Sequence, residues 1–198
     1  MVKKFLFLVF FVINATWSFA DIWGNPEIIV TYSQNKEYML KVYPLKFPDN
    51  YFTAKYQRQR KKGIVKDTIV VPCHAVLYRI INSDSIIEIW NEPLANLVSP
   101  VEIIVANDGK SIITIDDWHS RGREHTLVIY GEGGELIKDF ELKDISPFPL
   151  EQYLNTISST HWSENVEYLD NDRVEIHFRN EKGEVQKRIF NIKTRAFE

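Results

Sequence analysis

Apolar and polar positions alternate along most of this chain, and few stretches repeat at the 3.6-residue period of a helix, so the hydrophobic pattern predicts a mainly β fold. Runs rich in Val, Ile, Tyr, Phe and Trp place strands at Glu27 to Tyr32, Glu37 to Tyr43, Tyr51 to Gln57, Thr68 to Val71, Ala75 to Ile81, Ser85 to Trp90 and Val101 to Ala106. Further strands are expected at Ser111 to Asp116, Thr126 to Tyr130, Glu135 to Leu142, Val166 to Leu169, Arg173 to Arg179 and Glu184 to Ile192. The joints carry turn chemistry: Asn107-Asp108-Gly109, Gly131-Glu132-Gly133-Gly134 and Asn180-Glu181-Lys182-Gly183 each separate two apolar runs, as hairpin loops do. One short helix is expected at Leu150 to Ile157, behind the punctuation of Pro147 and Pro149.

A longer period overlies these strands. Tyr78, Tyr130 and Phe178 fall 52 and 48 residues apart, each in an apolar strand followed by a tight turn and another strand, and each behind an earlier strand that opens on a polar turn. A module of about 50 residues built as a meander resembles one blade of a β-propeller, whose sheets bury their faces only by stacking on neighbours. Three such units are too few for an ordinary closed ring. The expected fold is therefore about three propeller-blade-like antiparallel meander units, in an open stack or partly closed barrel or sandwich; the competing reading is that any all-β chain shows hairpins at such spacing.

The stretch from Leu94 to Ile145 runs Leu-Ala-Asn-Leu-Val-Ser-Pro-Val, then Asn107-Asp108-Gly109-Lys110, Asp116-Asp117-Trp118-His119-Ser120 and Leu127-Val128-Ile129-Tyr130 to Asp144-Ile145. It resembles a group of uncharacterised exported bacterial proteins, a resemblance that implies propeller-like β-repeats and brings no activity with it. Glu37-Tyr38 to Pro44 and Ser158-Ser159 to Trp162 match more loosely.

The first residues do not fit the β pattern. Lys3 and Lys4 precede an unbroken apolar run from Phe5 to Ile13, which suits a signal peptide and is too short to span a bilayer. Small residues at Ser18 and Ala20 place cleavage after Ala20, giving residues 1–20 as the signal and residues 21–198 as a single β-repeat domain, periplasmic or secreted, without a stable membrane span. An uncleaved anchor is the alternative. Removal of Lys3 and Lys4 changes the formal charge from −3 to −5, a balance that disfavours nucleic acid as a partner. Cys73 is the single cysteine, so no internal disulfide can form and a buried structural thiol is expected.

Candidate chemistry is concentrated at Asp116-Asp117-Trp118-His119-Ser120 and the following Arg121, Gly122, Arg123, Glu124 and His125. Carboxylates beside imidazoles can ligate a divalent cation or orient a general base, and Trp118 can offer a stacking face to a sugar or a peptide side chain. The spacing fits no catalytic metal pattern, and the competing structural reading is a corner in which Asp116 bonds backbone amides while Trp118 covers the core. His161-Trp162 repeats the pairing of imidazole and indole, and stacked units would bring it near Trp118; alternatively Trp162 plugs the core between units. Ser120 or Ser159 lacks the strained nucleophile-elbow sequence of a hydrolase triad. Lys55, Arg58, Arg60, Lys61, Lys62 and Lys66 form an acid-free basic stretch, read either as a solvated hairpin tip or as a contact for phosphate, anionic lipid or cell-wall polymer.

These observations favour an exported non-enzymatic binding or interaction module for a protein, peptide or glycan, with Asp116, Asp117, Trp118, His119, His161 and Trp162 as candidate ligand-binding residues and no cofactor or metal required. The alternative is an envelope-associated hydrolase or metal-dependent enzyme using the 116–125 loop, which demands that its carboxylates and imidazoles converge.

Overall fold

Three four-stranded antiparallel sheets follow one another along the chain in a computed structural model that describes residues 26–46, 53–65, 71–156, 158–170 and 172–198. The first sheet contains β1 (Ile29–Tyr32), β2 (Tyr38–Tyr43), β3 (His74–Asn82) and β4 (Ser85–Pro93). Between β2 and β3 lies helix α1 (Ala54–Lys61). The second sheet contains β5 (Pro100–Val105), β6 (Ile112–Asp117), β7 (Leu127–Tyr130) and β8 (Leu136–Phe140). A connection follows, with helix α2 (Leu142–Ile145), a 3₁₀ turn (Leu150–Gln152) and a two-stranded ribbon of β9 (Leu154–Asn155) and β10 (Thr160–His161). The third sheet contains β11 (Ser163–Asp170), β12 (Arg173–Arg179), β13 (Val185–Asn191) and β14 (Ala196–Phe197). Each of the three sheets pairs its strands in chain order, the meander of a propeller blade.

The sheets stack face to face through two cores. Leu40, Val42, Ala75, Leu77 and Trp90 of the first sheet meet Val105, Ile112, Val128 and Tyr130 of the second. The opposite face of the second sheet, with Ile113, Ile115, Leu127 and Ile129, meets Val174, Ile176, Phe178 and Phe190 of the third. All six residues of β6 and all four of β7 are buried, so the middle sheet is covered on both faces. This explains why Ile112 to Ile115 and Leu127 to Tyr130 read as nearly continuous apolar runs, whereas β12 alternates strictly. At one end of the stack the sheets are also tied by polar groups. Asn35 donates its backbone N–H to Asn107 Oδ1 and its side-chain amide to Asn107 O, both at 2.9 Å, and the Asn107 N–H donates to the Tyr168 hydroxyl at 3.3 Å.

The expected fold class is present, with local corrections. Residues 53–57, within the strand expected at Tyr51 to Gln57, belong to α1 and its N-cap. The run of Gln, Arg and Lys favours helix, Thr53 Oγ1 accepts from the Tyr56 N–H at 3.2 Å, and Gly63, at φ +69°, ends the helix. The basic stretch is therefore a helix rather than a hairpin tip. The helix expected at Leu150 to Ile157 shrinks to the 3₁₀ turn, because Leu154 and Asn155 pair with His161 and Thr160 instead. The strand expected to reach Leu142 stops at Phe140, and Leu142 opens α2 behind a capping box of Glu141 and Asp144. Tyr78 and Tyr130 both occupy third strands, but Phe178 lies on the second strand of its sheet, where Phe190 takes the third-strand position. Hairpins of similar length allow that one-strand slip in a sequence alignment. The signal segment expected at residues 1–20, Lys66 and most of the strand expected at Thr68 to Val71 lie outside the described residues; Val71 forms an isolated antiparallel bridge with Lys46. Among the described residues no helix is long and apolar enough to cross a membrane.

Candidate functional site

The end of β6 forms a polar corner at the junction of the second and third sheets. Asp116 adopts φ +58°, a left-handed conformation that Asp tolerates better than most side chains, and is fully buried. Its carboxylate accepts from the Trp162 indole N–H at 3.0 Å to each oxygen and from the Gly122 N–H at 2.6 Å, and it pairs with Arg121 Nε at 3.3 Å. Asp117 turns the other way. It accepts from the backbone N–H groups of Leu97, Val98, Ser99 and Trp118 at 3.0 to 3.2 Å, fixing the connection that enters the second sheet. Burial pushes the Asp116 carboxyl up to about 6, against the opposing pull of Gly122, Trp162 and Arg121. Burial also raises Asp117, opposed by the amides of Val98, Ser99 and Leu97.

Stacking brings the sequence-predicted residues into one region but distributes them over two environments. The Thr160 N–H donates to the Arg121 carbonyl at 2.9 Å, so the segment carrying His161 and Trp162 lies against the 116–125 loop. Trp162 is wholly buried, its ring centroid 5.3 Å from that of Phe178. Asp116 and Trp162 thus belong to the junction itself and Asp117 to the connection that precedes β5, whereas Trp118 is half-buried and His119 and His161 are exposed. His125, in the same loop, contacts Asp139 through Nδ1 at 2.8 Å. Beside the loop runs a groove of about 470 Å³, lined by Arg123 and Glu124 of the loop together with Glu141, Lys143, Leu150 and Glu151. The 3₁₀ wall falls within the helix expected at Leu150 to Ile157, whereas α2 escaped because Leu142 reads as the end of a strand and its four residues follow no helical period.

Two further features escaped sequence reasoning. Glu167, Glu175 and His177 place one donor atom each within 4.8 Å of one another on the outer face of the third sheet. The Glu-x-His spacing on β12 signals a shared face, but Glu167 joins only through its cross-strand pairing with Glu175. This donor set could hold a divalent cation in principle, yet Glu175 Oε1 already accepts from His177 at 2.6 Å and from the Lys187 ammonium at 2.8 Å, which supplies the positive charge there. The second feature is a cleft of about 390 Å³ where β5 and β11, the first strands of their sheets, face Tyr32 and Gln34 at the end of β1. Cys73 is buried, and desolvation pushes its thiol up to about 12, the environment of an inert structural cysteine.

No known protein family matches the chain, and no curated protein is similar to it. Among solved structures it is similar to the periplasmic gluconolactonase PpgL of Pseudomonas aeruginosa at 10% identity, with 80% of this chain and 52% of that chain covered and a TM-score of 0.31. The chain thus spans about half the length of that protein.

Proposed function

We propose that this protein is an exported, non-enzymatic binding module that takes a peptide segment of a partner protein in the groove beside residues 116–125, with Trp118, His119 and His161 on the surrounding surface. The observation that carries this reading is the lining of the groove: Arg123, Glu124, Glu141, Lys143 and Glu151 line it together with Leu150, which is 41% exposed. An extended peptide with one apolar side chain between charges of both signs complements that lining, in which Lys143 and Glu141 already pair at 2.6 Å. Asp116, Asp117 and Trp162 serve this role by holding the loop in place before a ligand arrives, which lowers the entropy lost on binding. Their polar atoms already bond within the protein, so the reading assigns them positioning rather than ligand contact or catalysis.

A random peptide library displayed on phage and panned against the purified protein tests this. Enriched peptides carrying both charge signs around an apolar residue are expected, and Arg123→Glu combined with Lys143→Glu should weaken them at least about tenfold, since exchanging a groove cation for an anion costs over about 1.4 kcal/mol. Failure to enrich any sequence, or equal affinity in the double variant, refutes the assignment of the groove.

A further inference from the structure

Helix α1 carries a feature that the groove does not use. No acidic residue occurs from Thr53 to Val65, whereas Lys55, Arg58, Arg60, Lys61 and Lys62 all lie there and all are exposed. At 100° per residue, Lys55, Arg58, Lys61 and Lys62 fall within an arc of about 120°, while Tyr56 and Arg60 occupy the other side. Tyr56 is 5% exposed, so it marks the side turned toward the protein and the four remaining cations form a stripe turned to solvent. None of these four makes an ion pair among the described residues. In a chain of net charge −3 this is a strongly asymmetric distribution.

The end of the helix adds an apolar element. Gly63 N–H donates to Arg60 O at 2.9 Å and Ile64 N–H to Gln59 O at 3.0 Å, a Schellman ending made possible by the positive φ of Gly63. The residue after such a glycine commonly packs back on its own helix. Ile64 instead is 68% exposed, beside Lys61 and Lys62.

We propose that α1 docks the protein peripherally on an anionic phospholipid surface, with Lys55, Arg58, Lys61 and Lys62 meeting lipid phosphates and Ile64 reaching the boundary of the acyl region. A one-sided stripe of four cations matches a plane of negative charge, and an exposed isoleucine beside it has a use at a lipid interface that it lacks on a soluble polyanion. The helix has too little apolar surface to insert, so attachment is electrostatic, reversible and weakened by salt. Each basic residue near such a surface strengthens attachment about fivefold.

Flotation with vesicles tests the proposal. The full protein should float with phosphatidylcholine vesicles containing about one phosphatidylglycerol in three lipids at low ionic strength, stay behind with pure phosphatidylcholine, and be released by salt. Neutralising the stripe together (Lys55→Gln, Arg58→Gln, Lys61→Gln and Lys62→Gln) should reduce binding by more than about 100-fold. Glutamine keeps the helix propensity, and an unchanged circular dichroism spectrum and melting temperature would show that the fold persists. Ile64→Ser should weaken binding several-fold, whereas the remote pair Lys193→Gln and Arg195→Gln should leave it unchanged. Absence of flotation on anionic vesicles, equal flotation on neutral ones, or full binding by the folded quadruple variant overturns the proposal. So does release by millimolar inorganic phosphate at constant ionic strength, which would make the stripe a site for the free anion.

Discussion

Replacing Asp116 with alanine removes the acceptor shared by Trp162, Gly122 and Arg121 at a position closed to water. A hydrogen bond to a charged group contributes about 1.5–3 kcal/mol, so three lost donors cost about 6 kcal/mol before compensation. The compensation is the desolvation that the carboxylate no longer suffers. Its folded value of about 6, raised from 3.8 although the three donors pull it down, shows that desolvation outweighs their pull on the ionised group at neutral pH. Removing one partner of a buried ion pair costs about 3–5 kcal/mol, and a loss of about 3 kcal/mol is expected here because the carboxylate's desolvation is relieved at the same time. Guanidinium unfolding followed by tryptophan fluorescence at pH 7 measures it. Asp116→Asn supplies a second arm, because the folded protein binds a proton at Asp116 more tightly than the unfolded chain does. Stability from this group therefore rises as pH falls from above 6 toward 4 and is constant below that. Subtracting the asparagine curve from the wild-type curve isolates this slope from Asp170 and Glu175, whose lowered values act at more acidic pH. A loss under about 1 kcal/mol in the alanine variant, or parallel pH curves for wild type and Asp116→Asn, refutes the account of the junction.

Gly122→Ala should destabilise by about 2 kcal/mol or more, read as a lowered melting temperature, because φ is +67° and the added Cβ would stand 2.8 Å from the Trp162 ring and 2.9 Å from the Thr160 carbonyl. Tyr130→Phe should cost about 1–2 kcal/mol by denaturant titration, since the Ala95 N–H loses its 2.8 Å acceptor in a partly buried place. Asn107→Ala should loosen the tie between the first two sheets, seen as faster amide exchange at Asn35, because it removes the Oδ1 acceptor of the Asn35 N–H while the backbone bonds of residue 107 to Asn35 and Tyr168 remain. Cys73 should resist a thiol reagent in native buffer up to pH 9 and react on unfolding, with rapid native labelling as the contrary result.

Strand positions were legible where one face is buried, as in β12, because a period of two survives whatever the neighbouring sheet does. The middle sheet was legible for the opposite reason: continuous apolar runs at Ile112 to Ile115 and Leu127 to Tyr130 fit no helix length and are bounded by turn residues. Helix α1 was misread because Tyr51, Phe52 and Tyr56 imitate a strand when capping by Thr53 and Gly63 is ignored. In the candidate site, the polar density of residues 116–125 was visible and a structural reading of Asp116 and Trp162 stood beside the ligand-binding one, but which of the two holds was not. It depends on Trp162 crossing 46 positions to reach Asp116, a contact created by sheet stacking rather than by local sequence. The groove walls and the Glu167, Glu175 and His177 cluster depend likewise on pairing registers that composition does not encode.

Because the middle sheet is covered on both sides, its two faces are completed at different times during synthesis. When the ribosome has delivered residues up to Phe140, the side bearing Ile113, Ile115, Leu127 and Ile129 still awaits β12 and β13, some forty residues downstream. The nascent chain therefore presents a broad greasy plane for the interval in which that stretch is made, which gives a holdase chaperone a defined window in which to act and makes truncation within it prone to aggregate.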